Sequence, residues 1–288
     1  LGGVLNTAEG TAWFANLQIE EGTLDESNTW NFGVFLIDNA SVNINGNLQK
    51  YSMTMSDKTI VNINLKRLKN SIRNISNNQM NIEYEIIEIT EPLTMLSYDQ
   101  ENGYYIGEKD AYKLINKYVK QKEFDHIFVC ARISNDSSKD LVNNWIGLGS
   151  MEYKGIGYSN IRMPTSSKSY ALKYDDKLNQ FPEEVFGHEF LHTLEQNSKE
   201  YNLQCPELHS SSDYGYKAEK IKSLYNWYKD YMSCNIKNEN IGLNKQIYMY
   251  KPVHESNFIN SIKLNYFDEP TGTVEKIKSI INTANAKI

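Results

Sequence analysis

Apolar positions along the chain switch between two periods. Trp30 to Ile37 is a nearly continuous apolar run, Asn81 to Thr90 alternates, and Phe124 to Ile133 is apolar again, which predicts three strands. Between them, Leu65, Leu68, Ile72 and Ile75 recur at helical spacing in a basic stretch, and Tyr112, Leu114, Ile115 and Tyr118 do so in a second. Trp145-Ile146-Gly147-Leu148-Gly149 and Gly155-Ile156-Gly157 come next. These two G-x-G pairs lack the further glycine or lysine of a phosphate loop. They predict bends around an edge strand, where a peptide could add as one more strand. A helix is then predicted from Pro182 to about Gln196. The last part is rich in Asn, Lys and Tyr, with a final helix near Thr273 to Ala286. The fold class expected is α+β, with a mixed twisted sheet in the upper half and a mostly helical or irregular lower half.

The first segment reads differently. Gly10 to Gly22 alternates as a strand that ends at glycine. It resembles the closing strand of a carbohydrate-binding β-sandwich, although one strand cannot form a sandwich alone. The other reading is an arm that packs on the main domain. Leu24 to Thr29 is polar and reads as a linker. Two parts are therefore expected: residues 1–28 as arm and linker, and residues 29–288 as the main domain.

Size and charge narrow the class. At 288 residues a sizeable core is available. The net charge of −6 and the lack of a basic cluster speak against nucleic acid as a partner. No apolar run approaches the length of a membrane span. Leu1 is not an initiator methionine, so the chain is expected to be a mature or excised fragment. The three cysteines, Cys130, Cys205 and Cys234, form no disulfide framework and no C-x-x-C. Cys130 reads as a buried strand residue, and a Cys205–Cys234 bridge is one option.

The most informative residues are His188-Glu189-Phe190-Leu191-His192. They spell H-E-x-x-H inside the helix predicted from Pro182, in a chain with only five histidines. One turn apart on one helix face, His188 and His192 can hold one Zn2+. Glu189 beside them can take a proton from water at the metal. A surface helix with solvated histidines is the plain alternative. Val185, Phe186, Phe190, Leu191 and Leu194 make the helix too apolar for that.

A catalytic zinc needs a third protein ligand. His209, seventeen positions after His192, is preferred, since the chain can turn back to the metal over that distance. Glu219 in the next helical stretch and Glu195 are the alternatives. Glu195 suits better the task of orienting a ligand histidine. His126, in a core strand, reads as a satisfied structural histidine, and His254 is the fifth. Loops at Asn135 to Asp140 and Tyr174 to Lys177 could bind Ca2+ but match no ligand loop.

With these residues in view, the chain resembles the metzincin-like zinc metallopeptidases over roughly residues 29 to 260. The resemblance implies a zincin-like fold, a third ligand after the active-site helix and a methionine turn beneath the metal. Trp227 to Ser233 would supply that turn, with Met232 as its methionine. The usual glycine and third ligand are replaced here by Glu195 and Ser198, so the third ligand does not carry over by motif. If His209 binds zinc, Tyr214 and Tyr216 stand where a phenol could donate to an oxyanion.

The activity expected is that of a secreted, monomeric zinc endopeptidase acting on extracellular protein or glycoprotein, with Glu189 as general base. The alternative is a non-catalytic adhesion or carbohydrate-binding module on a zincin scaffold, suggested by the N-terminal strand.

Overall fold

A computed structural model describes residues 28–120, 123–134, 145–153, 155–163, 183–201, 203 and 205–251. The expected N-terminal strand, the Leu24–Ser27 part of the linker, His254, the final helix and both calcium loops lie outside the described residues.

The centre is a five-stranded mixed sheet in the order β4-β1-β7-β9-β8. Strand β1 (Thr29–Ile37) pairs in parallel with β4 (Asn81–Ile89) and β7 (His126–Ala131). Strand β9 (Ile156–Arg162) continues the parallel set beside β7, and β8 (Gly147–Tyr153) closes it antiparallel. Past the exposed Asn31, the run Phe32 to Ile37 has no polar side chain because both faces of β1 are covered. Trp30, Phe32, Val34 and Leu36 enter one core cluster, and Phe35 and Ile37 enter the other.

One face carries α1 (Met55–Ile75) and α3 (Glu184–Glu200). Helix α1 starts with a reciprocal cap. Thr54 Oγ1 accepts from the Asp57 N–H, and Asp57 Oδ2 accepts from the Thr54 N–H. The buried Asp57 is also held by a two-point contact from Arg132, at 2.7 and 3.2 Å. Val61, Leu65, Leu68, Ile72 and Ile75 bury the stripe that the spacing predicts. The opposite face carries α2 (Glu108–Val119) through Ala111 and Ile115.

Two hairpins were not expected. Strands β2 (Asn39–Ile44) and β3 (Asn47–Ser52) join through Asn45-Gly46, both at positive φ, a two-residue turn that matches strand twist. Strands β5 (Ser97–Asp99) and β6 (Gly103–Tyr105) form the second. Two boundaries also move. Thr29 begins β1 instead of ending a linker, and α3 runs on to Glu200. Of the expected bend glycines, Gly155 (φ 80°) does take the turn beside an edge strand, whereas Gly147, Gly149 and Gly157 lie within β8 and β9. The edge strand itself is β8.

After α3 the described chain is helical or irregular. It has a 3-10 turn at Ser210–Tyr214, α4 (Ile221–Met232) and α5 (Lys245–Met249). The expected methionine turn is instead the second half of α4. Leu224, Trp227, Tyr228, Tyr231 and Met232 recur at helical spacing and pack as one face. Met232, the last residue of that helix, is buried in the main core. Among the described residues no helix is long and apolar enough to cross a membrane. All three cysteines are free thiols, so Cys205 and Cys234 do not pair. Cys205 Sγ instead lies 3.1 Å from Tyr231 Oη.

Candidate metal centre

Helix α3 is seated on the sheet by aromatic rings. Phe190 meets Trp30 and Phe32 with centroids at 5.2 and 4.8 Å, and Phe186 meets Phe128 at 5.2 Å. Burying each such ring stabilises the fold by roughly 1.5–3 kcal/mol. These contacts fix the rotation of α3, so His188 and His192 turn together, away from the sheet. Beneath the helix, His126 is fully buried. One ring nitrogen lies 3.1 Å from Ser159 Oγ and the other 3.1 Å from Thr193 Oγ1. Burial pushes this imidazole down to about 3, so it stays neutral, as a structural histidine should.

His209 arrives from a different segment. Leu208 is buried and its carbonyl accepts from Trp227 Nε1 at 3.1 Å, while Tyr231 Oη donates to the Pro206 carbonyl at 3.1 Å. Helix α4 thus holds the loop that brings His209 back to α3. His209 Nε2 lies 2.9 Å from His188 Nε2, and His192 Nε2 lies 3.2 Å from His188 Nε2. One nitrogen from each ring falls within 4.8 Å of the others.

The Nδ1 atoms of the two helix histidines are engaged. His188 Nδ1 lies 2.8 Å from Tyr228 Oη, whose hydroxyl donates to Glu184 Oε1 at 2.6 Å. His192 Nδ1 lies 3.3 Å from Glu195 Oε2. Burial, with His192 and His209 nearby, pushes His188 down to about 3, so it is neutral. A neutral imidazole that donates through Nδ1 presents a lone pair at Nε2. The Nε2 lone pair of His188 therefore faces Nε2 of both His192 and His209. Three converging imidazole nitrogens are a donor set that a divalent cation could accept. Tetrahedral zinc with bonds of about 2.0–2.1 Å sets its nitrogens roughly 3.3 Å apart, close to the 2.9 and 3.2 Å separations from His188 Nε2. His209 is exposed, which leaves one side of the cluster open to solvent.

Glu195 meets His192 at Nδ1 and is not among the three converging groups. Burial opposes its charge, but the hydrogen bond from His192 and the Lys199 ammonium at 3.0 Å hold its carboxyl down near about 2. Glu219 is exposed in a turn two residues ahead of α4 and is not among the converging groups.

Glu189 is 6 % exposed and lies beneath β8. Its carboxylate accepts from the Gly149 N–H. A Cβ on Gly147 would stand 2.5 Å from Glu189 Cγ, and one on Gly149 2.6 Å from the Glu189 carbonyl oxygen. These glycines allow the edge strand to lie directly on α3 at Glu189. Burial, then the charge of Glu184, pushes the Glu189 carboxyl up to about 8, and the Gly149 N–H pulls the other way. A cation held by the imidazoles would lower it further.

Tyr214 and Tyr216 turn elsewhere. Both rings pack on Trp227, and Tyr216 Oη donates to Asp230 at 2.6 Å. The phenol beside the cluster is Tyr228, which with Glu184 is absent from the expected set. No local spacing could have paired them, since they come from helices forty-four positions apart in the chain. Compared with known proteins, the chain matches no family model and no curated protein.

Proposed function

We propose that the chain is a zinc-dependent endopeptidase with a zincin-like architecture, built from residue 29 onward. The observation that supports this is the meeting of three imidazole nitrogens from His188, His192 and His209, with Glu189 between two of them in the chain and against an edge strand. His188, His192 and His209 would hold the zinc, which when bound supplies Lewis acidity toward a carbonyl and makes water easier to deprotonate. Glu189 accepts the proton of the attacking water and returns it to the leaving amine. Its burial keeps that carboxylate from being solvated and so keeps it basic. Strand β8 is last in the sheet and, among the described residues, pairs on one side only, so an extended peptide can add along its other edge.

Protein or glycoprotein outside the cell is the substrate class, and the enzyme acts as a secreted monomer. The non-catalytic adhesion or carbohydrate-binding reading rests on residues 10–22, outside the described residues. Glu189→Gln tests the proposal. The variant keeps about one zinc per chain and loses peptide hydrolysis by about 10²–10⁴-fold. Undiminished, chelator-sensitive hydrolysis in that variant overturns the role of Glu189. A wild-type chain that binds no zinc overturns the whole reading.

A further inference from the structure

Glu184 sits one turn before His188 on α3, and its carboxylate is 3.9 Å from His188 Nδ1, beyond hydrogen-bond reach. Tyr228 of α4 fills that gap, with Oη 2.6 Å from Glu184 Oε1 and 2.8 Å from His188 Nδ1. We propose that Tyr228 is a positioning residue of the metal site, coupling the Glu184 carboxylate to the His188 imidazole. The proposal rests on the metal reading given above.

The proton count fixes the direction. A phenol has one proton, and here Tyr228 Oη donates it to Glu184 Oε1. Toward His188 the phenol oxygen is therefore an acceptor, and Nδ1 must carry hydrogen. That leaves the lone pair on Nε2, the nitrogen that faces His192 and His209. The relay also stops the ring from rotating about its Cβ–Cγ bond. His192 reaches the same end by direct contact with Glu195, so the two ligands of one helix are oriented in different ways. Glu184, His188 and Tyr228 share the wall of a narrow pocket with Leu68, Leu191 and Met232. These apolar neighbours keep the local dielectric low, which strengthens the two hydrogen bonds.

The test uses the full chain and two readouts: zinc affinity by competition with a chelating dye, and the absorption spectrum of the cobalt(II)-substituted protein. Tyr228→Phe keeps the ring and removes the hydroxyl. It weakens zinc about 10–100-fold and shifts the cobalt bands, with the circular dichroism of the chain unchanged. Glu184→Gln, which keeps an acceptor for the phenol, gives a smaller loss in the same direction and decides the matter if Tyr228→Phe does not fold. Wild-type affinity and an unshifted cobalt spectrum in the folded variants overturn the relay and leave the metal site standing. A wild-type chain that takes up neither metal overturns both.

Discussion

Gly149 touches Glu189 twice: its N–H donates to the carboxylate, and its missing Cβ leaves room for the Glu189 carbonyl oxygen, which would otherwise stand 2.6 Å away. That oxygen belongs to the α3 backbone and cannot swing aside. In Gly149→Ala, β8 must therefore lift from α3. The expected result is a loss of about 1–3 kcal/mol in urea unfolding, with a fall in peptide hydrolysis. Gly147→Ala differs, because the added methyl meets only the flexible Glu189 side chain, at 2.5 Å. It should cost less stability yet still displace the carboxylate. Equal losses in both variants would show that the two glycines serve packing alone.

Metal content separates the third-ligand candidates. His188→Ala, His192→Ala and His209→Ala should each lose the bound zinc, because each removes one of three converging nitrogens. Glu219→Ala should keep it, since that side chain is exposed and away from the group. Glu195→Gln should keep zinc with affinity lowered about 10–100-fold, as expected when an orienting carboxylate is lost. Metal analysis after dialysis against a weak chelator reads all five.

The pH dependence of hydrolysis reports on Glu189. The base works only when deprotonated, so kcat/KM rises with pH through its pKa. Burial holds that value above its ordinary 4.5, up to about 8, and a neighbouring cation draws it back. The acidic limb of kcat/KM should thus fall between those limits. It should vanish from the residual rate of Glu189→Gln. A kcat/KM without an acidic limb between pH 4.5 and 8 would overturn Glu189 as the base.

His126 makes the fold sensitive to acid. Its imidazole is held at about 3 in the folded chain against 6.5 when exposed. Below pH 6.5 the unfolded chain takes up a proton that the folded chain refuses, so stability is lost as pH falls. The slope from this one group approaches about 1.4 kcal/mol per pH unit, down to pH 3. His126→Gln should be less stable at pH 7 but show a shallower decline between pH 6 and 4 in urea midpoints. An unchanged slope would assign the acid sensitivity to other groups.

The long elements were legible because each repeats one period over many residues. The run from Trp30, the stripe from Leu65 to Ile75 and the H-E-x-x-H helix all appear where the spacing puts them. The first hairpin was missed although Asn45-Gly46 is a strong turn signal, because its strands are short and mostly polar. The glycines of β8 and β9 misled for a physical reason. Glycine weakens a strand in general, and only the assembled fold reveals that α3 lies too close for any side chain there. Met232 misled through resemblance, whereas the helical spacing from Leu224 onward already pointed to α4. Tyr228 and Glu184 could not be read at all, since their meeting depends on how two helices dock.

The docking of Leu208 under Trp227 has one more consequence. His209 reaches its companions only when α4 is already home. A partly unfolded chain that retains the sheet and α3 but has released α4 offers a cation two nitrogens where the finished protein offers three. An ion held by all three would act as a latch on the last step of assembly, and stripping it would loosen the C-terminal side of the described chain before the strands part.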